Sequence, residues 1–111
     1  MVGEIHLAKI YFTDLSAYKI RPVLILKVMD EDYICLQVSS QIKSDRIVIT
    51  NSDMVDGQLK KESVVVVPKN FTLHESILSK YIGKISNELL NTIVEKFCKD
   101  IGCNHKAMDM S

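Results

Sequence analysis

The chain has 111 residues, of which 47% are hydrophobic and 25% are charged; this excludes wholesale disorder and leaves room for one domain, over residues 1–111, with its own core. Its 14 basic residues are balanced by 14 acidic ones, which argues against a protein that coats nucleic acid through its overall charge and favours binding of any nucleic acid in a confined groove. No apolar run approaches the roughly 20 residues that span a bilayer, and no cationic leader precedes one, so we expect a cytoplasmic protein that does not contact membranes.

Runs of β-branched and aromatic residues predict five strands before any helix. The acidic connection at residues 29–32 is short enough to join two of these strands as a hairpin. Polar loops are predicted over residues 13–20 and 51–57, and Pro68 is expected to end the last of the five strands. The predicted strands cover residues 4–12, 23–28, 33–40, 46–50 and 62–67.

From Thr72 onward the apolar period changes. Leu73, Ile77 and Leu78 predict a short helix, and residues 81–85 predict a brief strand interrupted by glycine.

Ser86 is the predicted N-cap of a longer helix over residues 87–101, and Gly102 is its predicted stop. The apolar positions of this helix recur every four residues and form one broad stripe, which must pack on the sheet. Residues 103–111 show no periodicity and are expected to be a frayed tail. The stripe consists of Leu89, Ile93, Phe97 and Ile101, with Leu90, Val94 and Cys98 beside them.

The order of strands first and helices last predicts an α+β fold. We expect a small, strongly bent antiparallel sheet or SH3-like barrel, with the C-terminal helix packed on it. Strands that are apolar on both faces favour such a curled sheet.

The cysteines do not form a metal-binding pattern. Cys35, Cys98 and Cys103 are odd in number and have no histidines at zinc-ligand spacing. Cys35 lies in a strand pattern and Cys98 in a helix pattern, where free cysteine usually packs as a small hydrophobe. We therefore predict no metal site and no cofactor.

Arg21 is followed by Pro22, which favours an extended backbone at the arginine and fixes a permanent cation at the rim of the sheet. The hairpin that begins at Val23 returns the chain to the same end of the sheet, so Arg21 and Ser39 are expected to lie near each other. Taken without context, an arginine at a strand end is commonly a surface ion-pair residue, and Ser39 a polar residue at a strand end.

Six segments, in this order and at this spacing, resemble the MazF/PemK-type toxins of bacterial toxin–antitoxin systems over about residues 3–101. They are Gly3-Glu4-Ile5; Phe12-Thr13-Asp14-Leu15-Ser16; Lys19-x-Arg21-Pro22-Val23-Leu24-Ile25-Leu26; Val38-Ser39-Ser40-Gln41; Gly57-Gln58-Leu59-Lys60-Lys61-Glu62-Ser63-Val64; and Tyr81-Ile82-Gly83-Lys84-Ile85-Ser86.

The resemblance implies a metal-independent, sequence-specific endoribonuclease that cuts single-stranded RNA by attack of the 2′-hydroxyl, leaving a 2′,3′-cyclic phosphate and a 5′-hydroxyl. It also implies a homodimer and a cognate antitoxin. The family's arginine matches Arg21, whose forked donors suit the charge that builds on a phosphate. The family's threonine matches Ser39, which keeps the hydroxyl and lacks the methyl group.

The resemblance leaves the general base open among Asp14, Glu62 and His6, since a guanidinium does not readily lose a proton. Residues around the two matched positions are expected to contact the substrate: Asp14, Lys19, Ser40, Gln41, Lys43, Lys60, Lys61, Glu62 and Ser63. Two other functions remain open. One is a non-catalytic module on the same fold that inhibits a protein or binds RNA without cutting. The other is a plain dimerisation domain, which would leave Arg21 and Ser39 without a role.

Overall fold

The computed structural model describes residues 1–11 and 17–102. Within them the chain forms seven strands and a C-terminal helix, with short 3-10 turns at Asn51–Asp53 and Glu75–Ile77. The strands and the helix are β1 (Glu4–Tyr11), β2 (Tyr18–Met29), β3 (Asp32–Ser39), β4 (Ile47–Ile49), β5 (Met54–Gly57), β6 (Ser63–His74), β7 (Leu78–Ile85) and α1 (Asn87–Ile101).

The seven strands form one antiparallel sheet in the order β4-β6-β3-β2-β1-β7-β5. The predicted α+β fold, an antiparallel sheet with a C-terminal helix on it, is confirmed. Among the described residues, β4 pairs only with β6 and β5 only with β7. The sheet is therefore open: its two edge strands, β4 and β5, do not pair with each other, and it does not close into the barrel that was the other expectation.

The predicted hairpin and the long helix are both present. In the hairpin Met29 pairs with Asp32, and the turn between them holds Asp30 at a positive φ of 53°. Ser86 caps α1 by accepting a hydrogen bond from the backbone N–H of Leu89 at 3.1 Å. Gly102 ends α1 in the left-handed region at φ 85°.

Pro68 does not end the strand that contains it. Val66 pairs with Gln37, and the next pair along the strand joins Asn70 to Leu36. Residues 67–69 thus form an irregularity without cross-strand partners on β3. Because no hydrogen bond to β3 is made there, the N–H that Pro68 lacks is not needed. β6 then continues to His74.

The predicted helix at Leu73, Ile77 and Leu78 is wrong. Leu73 pairs with Tyr33 in β6, Ile77 ends a 3-10 turn, and Leu78 begins β7. All three side chains pack against one buried cluster, so the apolar pattern indicated burial correctly and the element incorrectly.

Two predicted loops are shorter than expected. Tyr18–Ile20 belongs to β2, since Tyr18 pairs with Tyr11. Residues 54–57 form β5, which pairs with β7. Residues 13–16 of the first loop lie outside the described residues, as do Phe12 of the first predicted strand and the predicted tail at 103–111.

Each face of the sheet carries its own core, because successive side chains of a strand point to opposite faces. The face that carries Arg21, Val23 and Ile25 is called the arginine face; its buried cluster is Ala8, Val23, Ile25, Tyr33 and Cys35. The face that carries Leu24 is called the helix face, because Ile93 of α1 is fully buried in its cluster. No helix in the described part of the chain is long and apolar enough to cross a membrane.

Candidate active site

Arg21 lies within β2, opposite Ala8 of β1, rather than at the entrance of the strand. Its side chain is half-buried. The guanidinium forms no ion pair and no side-chain hydrogen bond with the described residues. A half-buried cation without a carboxylate partner is suited to an anionic ligand, because a charge removed from water needs a counter-charge.

Arg21 contributes to a groove on the arginine face, here called the arginine groove. The groove has a volume of about 220 Å³. β2 and β3 place two of its residues side by side, because Val23 pairs with Gln37. Its lining consists of Ile10, Arg21, Val23, Gln37, Lys69 and Phe71. Arg21 and Lys69 are the charged members of that lining, so the part of the groove formed by described residues is positive and contains no carboxylate.

Ser39 is the last residue of β3 and lies beyond the lining of this groove. It shares the arginine face with Gln37, two residues earlier in the strand. The register that pairs Val23 with Gln37 would, if continued by two residues, set Arg21 opposite Ser39. The Ser39 hydroxyl oxygen accepts a hydrogen bond from the backbone N–H of Gln41 at 3.1 Å.

The predicted contacts that follow Ser39 lie in an exposed segment. Ser40, Gln41 and Lys43 are all exposed. The Arg46 guanidinium ties the segment back by donating to the Gln41 carbonyl at 3.1 Å. Lys19 is exposed on β2 opposite Ile10. Asp14 lies outside the described residues.

A second groove, here called the lysine groove, lies on the helix face and has a volume of about 470 Å³. Pro22, which follows Arg21 in β2, lines it, so the two grooves lie on opposite faces of one strand. The structure therefore separates the predicted residues Lys60, Lys61 and Ser63 from Arg21. The full lining is Leu7, Pro22, Gln58, Leu59, Lys60, Lys61, Ser63, Lys80, Tyr81 and Ile82.

The candidate bases that the structure describes do not line the arginine groove. His6 donates from Nε2 to the Glu4 carboxylate at 2.8 Å and faces a separate hollow beside Tyr81. The hydrogen bond from His6 lowers the pKa of Glu4, and the charge of the N-terminal amine lowers it further. Glu62 is exposed and lines neither groove.

The comparison of sequences decides the family. The model of the "PemK-like, MazF-like toxin of type II toxin-antitoxin system" family matches residues 2–100. The chain belongs to this toxin family. No curated protein sequence matches the chain.

Solved structures with the same fold include two endoribonucleases and one toxin. An endoribonuclease in complex with its cognate antitoxin, from a mycobacterial species, is 18% identical with a TM-score of 0.69, and the match covers 92% of each chain. An endoribonuclease from a mycobacterial species is 16% identical with a TM-score of 0.70, over 92% of this chain and 90% of the other. The Mycobacterium tuberculosis toxin MazF-mt6 is 21% identical with a TM-score of 0.69, over 89% of this chain and 96% of the other. At these identities the likeness establishes the fold.

For this PemK-like, MazF-like toxin, Arg21 is the one predicted site residue in the described lining of the arginine groove, and sequence reasoning missed the polar, charged and aromatic residues beside it: Gln37, Lys69 and Phe71. Two of them follow Pro68, where the strand was expected to end. A signal was available, because Phe71 and Leu73 continue an alternating pattern beyond the proline. No cluster of possible metal ligands occurs among the described residues of the toxin.

Proposed function

We propose that this toxin is a metal-independent, sequence-specific endoribonuclease that cuts single-stranded RNA. The observation that carries the proposal is the half-buried guanidinium of Arg21, which faces a positive groove and has no partner among the described residues. The solved endoribonucleases with this fold support the reaction class.

The proposed reaction is attack of the ribose 2′-hydroxyl on the adjacent phosphorus. The 2′-oxygen forms a bond to phosphorus, the bond to the 5′-oxygen breaks, and the products are a 2′,3′-cyclic phosphate and a 5′-hydroxyl. The proton of the 2′-hydroxyl passes to a base, and the leaving 5′-oxygen takes up a proton. Negative charge builds on the non-bridging oxygens, where Arg21 would donate two parallel hydrogen bonds. The Ser39 hydroxyl would donate a third.

Single-stranded RNA fits a groove of this size better than a duplex does. The chain has no net charge at neutral pH, so binding must rely on local cations and on unstacked bases. A protein partner is also proposed: a cognate antitoxin, as in the mycobacterial complex with this fold. We further propose that the toxin acts as a homodimer.

One observation favours a second candidate, a module that binds RNA without cutting it. The described lining of the arginine groove contains no carboxylate and no imidazole, so no described group there is placed to take the 2′-hydroxyl proton.

Cleavage in the presence of a chelator tests the proposal. Purified toxin is incubated with long single-stranded RNA in EDTA, and both fragment ends are mapped. A recurring site with cyclic phosphate ends is expected, whereas RNA that binds yet stays intact would favour the binding module.

Arg21→Ala should slow cleavage by about 10²–10³-fold, as for the loss of other transition-state donors. Lys27→Ala is the matched control, because it removes an exposed cation from the same strand. Equal rates for Arg21→Ala and Lys27→Ala would overturn the role of Arg21.

A further inference from the structure

The part of β6 beyond Pro68 brings a second cation and an aromatic ring to the arginine groove. Phe71 pairs with Cys35 of β3, so its ring lies on the arginine face. The ring is half-buried and Lys69 is exposed. The reaction proposed above uses neither residue, yet both line the groove that Arg21 lines.

Phe71 has the surroundings of a stacking platform for a base. Its neighbours in the groove, Ile10 and Val23, are apolar. A half-buried aromatic ring at an open groove can stack on a nucleobase, which has an apolar face of its own. The groove volume of about 220 Å³ is below the roughly 300 Å³ at which typical ligand pockets begin, so it suits one base rather than a longer stretch.

Gln37 supplies the polar contact that an apolar slot needs for selectivity. Its side chain is half-buried and has no hydrogen-bond partner within residues 1–11 and 17–102. A carboxamide offers a donor and an acceptor together, which matches the paired groups on the edge of a base. Gln37 pairs with Val23 on one side and with Val66 on the other, so its backbone is held in the middle of the sheet.

Lys69 provides a second positive charge without a carboxylate partner among the described residues. Arg21 and Lys69 line the same groove. Two cations beside one base slot match the covalent pattern of a nucleotide strand, in which each nucleoside lies between two phosphates.

We propose that Gln37, Lys69 and Phe71 form a nucleoside subsite beside Arg21. Phe71 stacks on the base next to the scissile bond, the Gln37 carboxamide reads the edge of that base, and Lys69 binds the phosphate on its far side. The proposal rests on the proposed function, because it takes the phosphate at Arg21 to be the scissile one.

Binding and cleavage are measured separately so that the two proposals can fail independently. Binding is followed by fluorescence anisotropy with a labelled single-stranded RNA that carries 2′-O-methyl groups and cannot be cut by this route. Lys69→Ala and Phe71→Leu are each expected to raise Kd about tenfold. Lys69→Ala should also reduce the slope of log K against log salt by about 0.7, the value for one single-strand phosphate contact. Gln37→Ala should relax the base preference next to the cut in a random RNA pool.

Thr72→Ala is the matched control, since Thr72 is an exposed neighbour in β6 that lines neither groove. Phe71→Leu keeps most of the apolar volume, and the thermal midpoint of each variant reports its folding. The subsite would be overturned if Lys69→Ala, Phe71→Leu and Gln37→Ala all kept the Kd, salt slope and base preference of the wild type. This holds even if the wild-type protein cuts RNA. If the wild-type protein binds RNA without cutting it and the variants still lose affinity, the nuclease proposal fails and the subsite stands as a binding site.

Discussion

The hydroxyl oxygen of Ser39 accepts a hydrogen bond from the backbone N–H of Gln41 at 3.1 Å. An acceptor role leaves the hydroxyl hydrogen free to donate to another group. The contact also restrains the side chain, which compensates in part for the methyl group that threonine would supply.

The first prediction is that Ser39→Ala slows RNA cleavage by about 10²-fold, the effect of removing one transition-state donor. Ser39→Thr should keep at least the wild-type rate, because it retains the hydroxyl and adds a rotamer restraint. Single-turnover rates on one RNA, with thermal midpoints measured in parallel, test both. A Ser39→Ala variant as fast as Ser39→Thr would remove the hydroxyl from the chemistry.

The second prediction concerns Glu4, whose pKa lies below its ordinary value of 4.5 because it accepts a hydrogen bond from His6 and faces the N-terminal amine. A lowered pKa in the folded state means that the ionised carboxylate stabilises the fold. That contribution is complete above the unfolded value of about 4.5 and is lost as the pH falls through the folded pKa. Since Glu4 is partly exposed, we expect less than about 1 kcal/mol.

Urea unfolding of the wild type and Glu4→Gln at pH 7 and at pH 3 tests this. The variant should be less stable at pH 7, and the difference should shrink at pH 3. A difference that is the same at both pH values would show that ionisation of Glu4 has no part in it.

The third prediction is that Ile93→Ala lowers the free energy of unfolding by about 2–5 kcal/mol, because it leaves a cavity between α1 and the sheet. Ile93 is fully buried in the core of the helix face. Val94→Ala is the control on the same helix, because Val94 is 38% exposed, and it should cost much less. Equal losses would mean that α1 does not pack as described.

The fourth prediction concerns Gly83, where β7 passes close to β5. A Cβ atom at this position would meet the backbone oxygen of Asp56. Gly83→Ala should therefore loosen β5 from β7 and cost about 1–3 kcal/mol, as overpacking does. Amide hydrogen exchange across residues 54–57 should rise in the variant and stay unchanged in Lys80→Ala, a change at an exposed site in β7. Unchanged exchange in Gly83→Ala would contradict the close contact.

Local chemistry was enough to predict the hairpin and the long helix. The cap at Ser86, the stripe around Ile93 and the left-handed Gly102 are signals within one segment of chain. The acidic turn at Asp30 is equally local. These elements appear where their residues predicted them.

The strand after Pro68 and the position of the site residues on the sheet depend instead on contacts between residues that are distant in sequence. The spacing of apolar residues in a short run such as the one around Leu73 is compatible with a strand and with a helix. The pairing of Leu73 with Tyr33 shows that it is a strand. The order of the motifs along the chain also did not indicate which face of the sheet each residue occupies. Lys60 and Lys61 were expected near Arg21, but they line the lysine groove on the opposite face.

The unpaired residues 67–69 of β6 have a consequence for how this toxin can vary. Regular pairing on either side of them fixes Val66 and Asn70, so a change in the length of this short segment is absorbed locally. Lys69 belongs to the segment and faces the arginine groove. Substitutions at Lys69 can alter what the groove accepts while both cores stay intact, whereas Val67 in the same segment belongs to the buried core of the helix face. On the proposed function, substrate preference and folding stability are thus separable at Lys69.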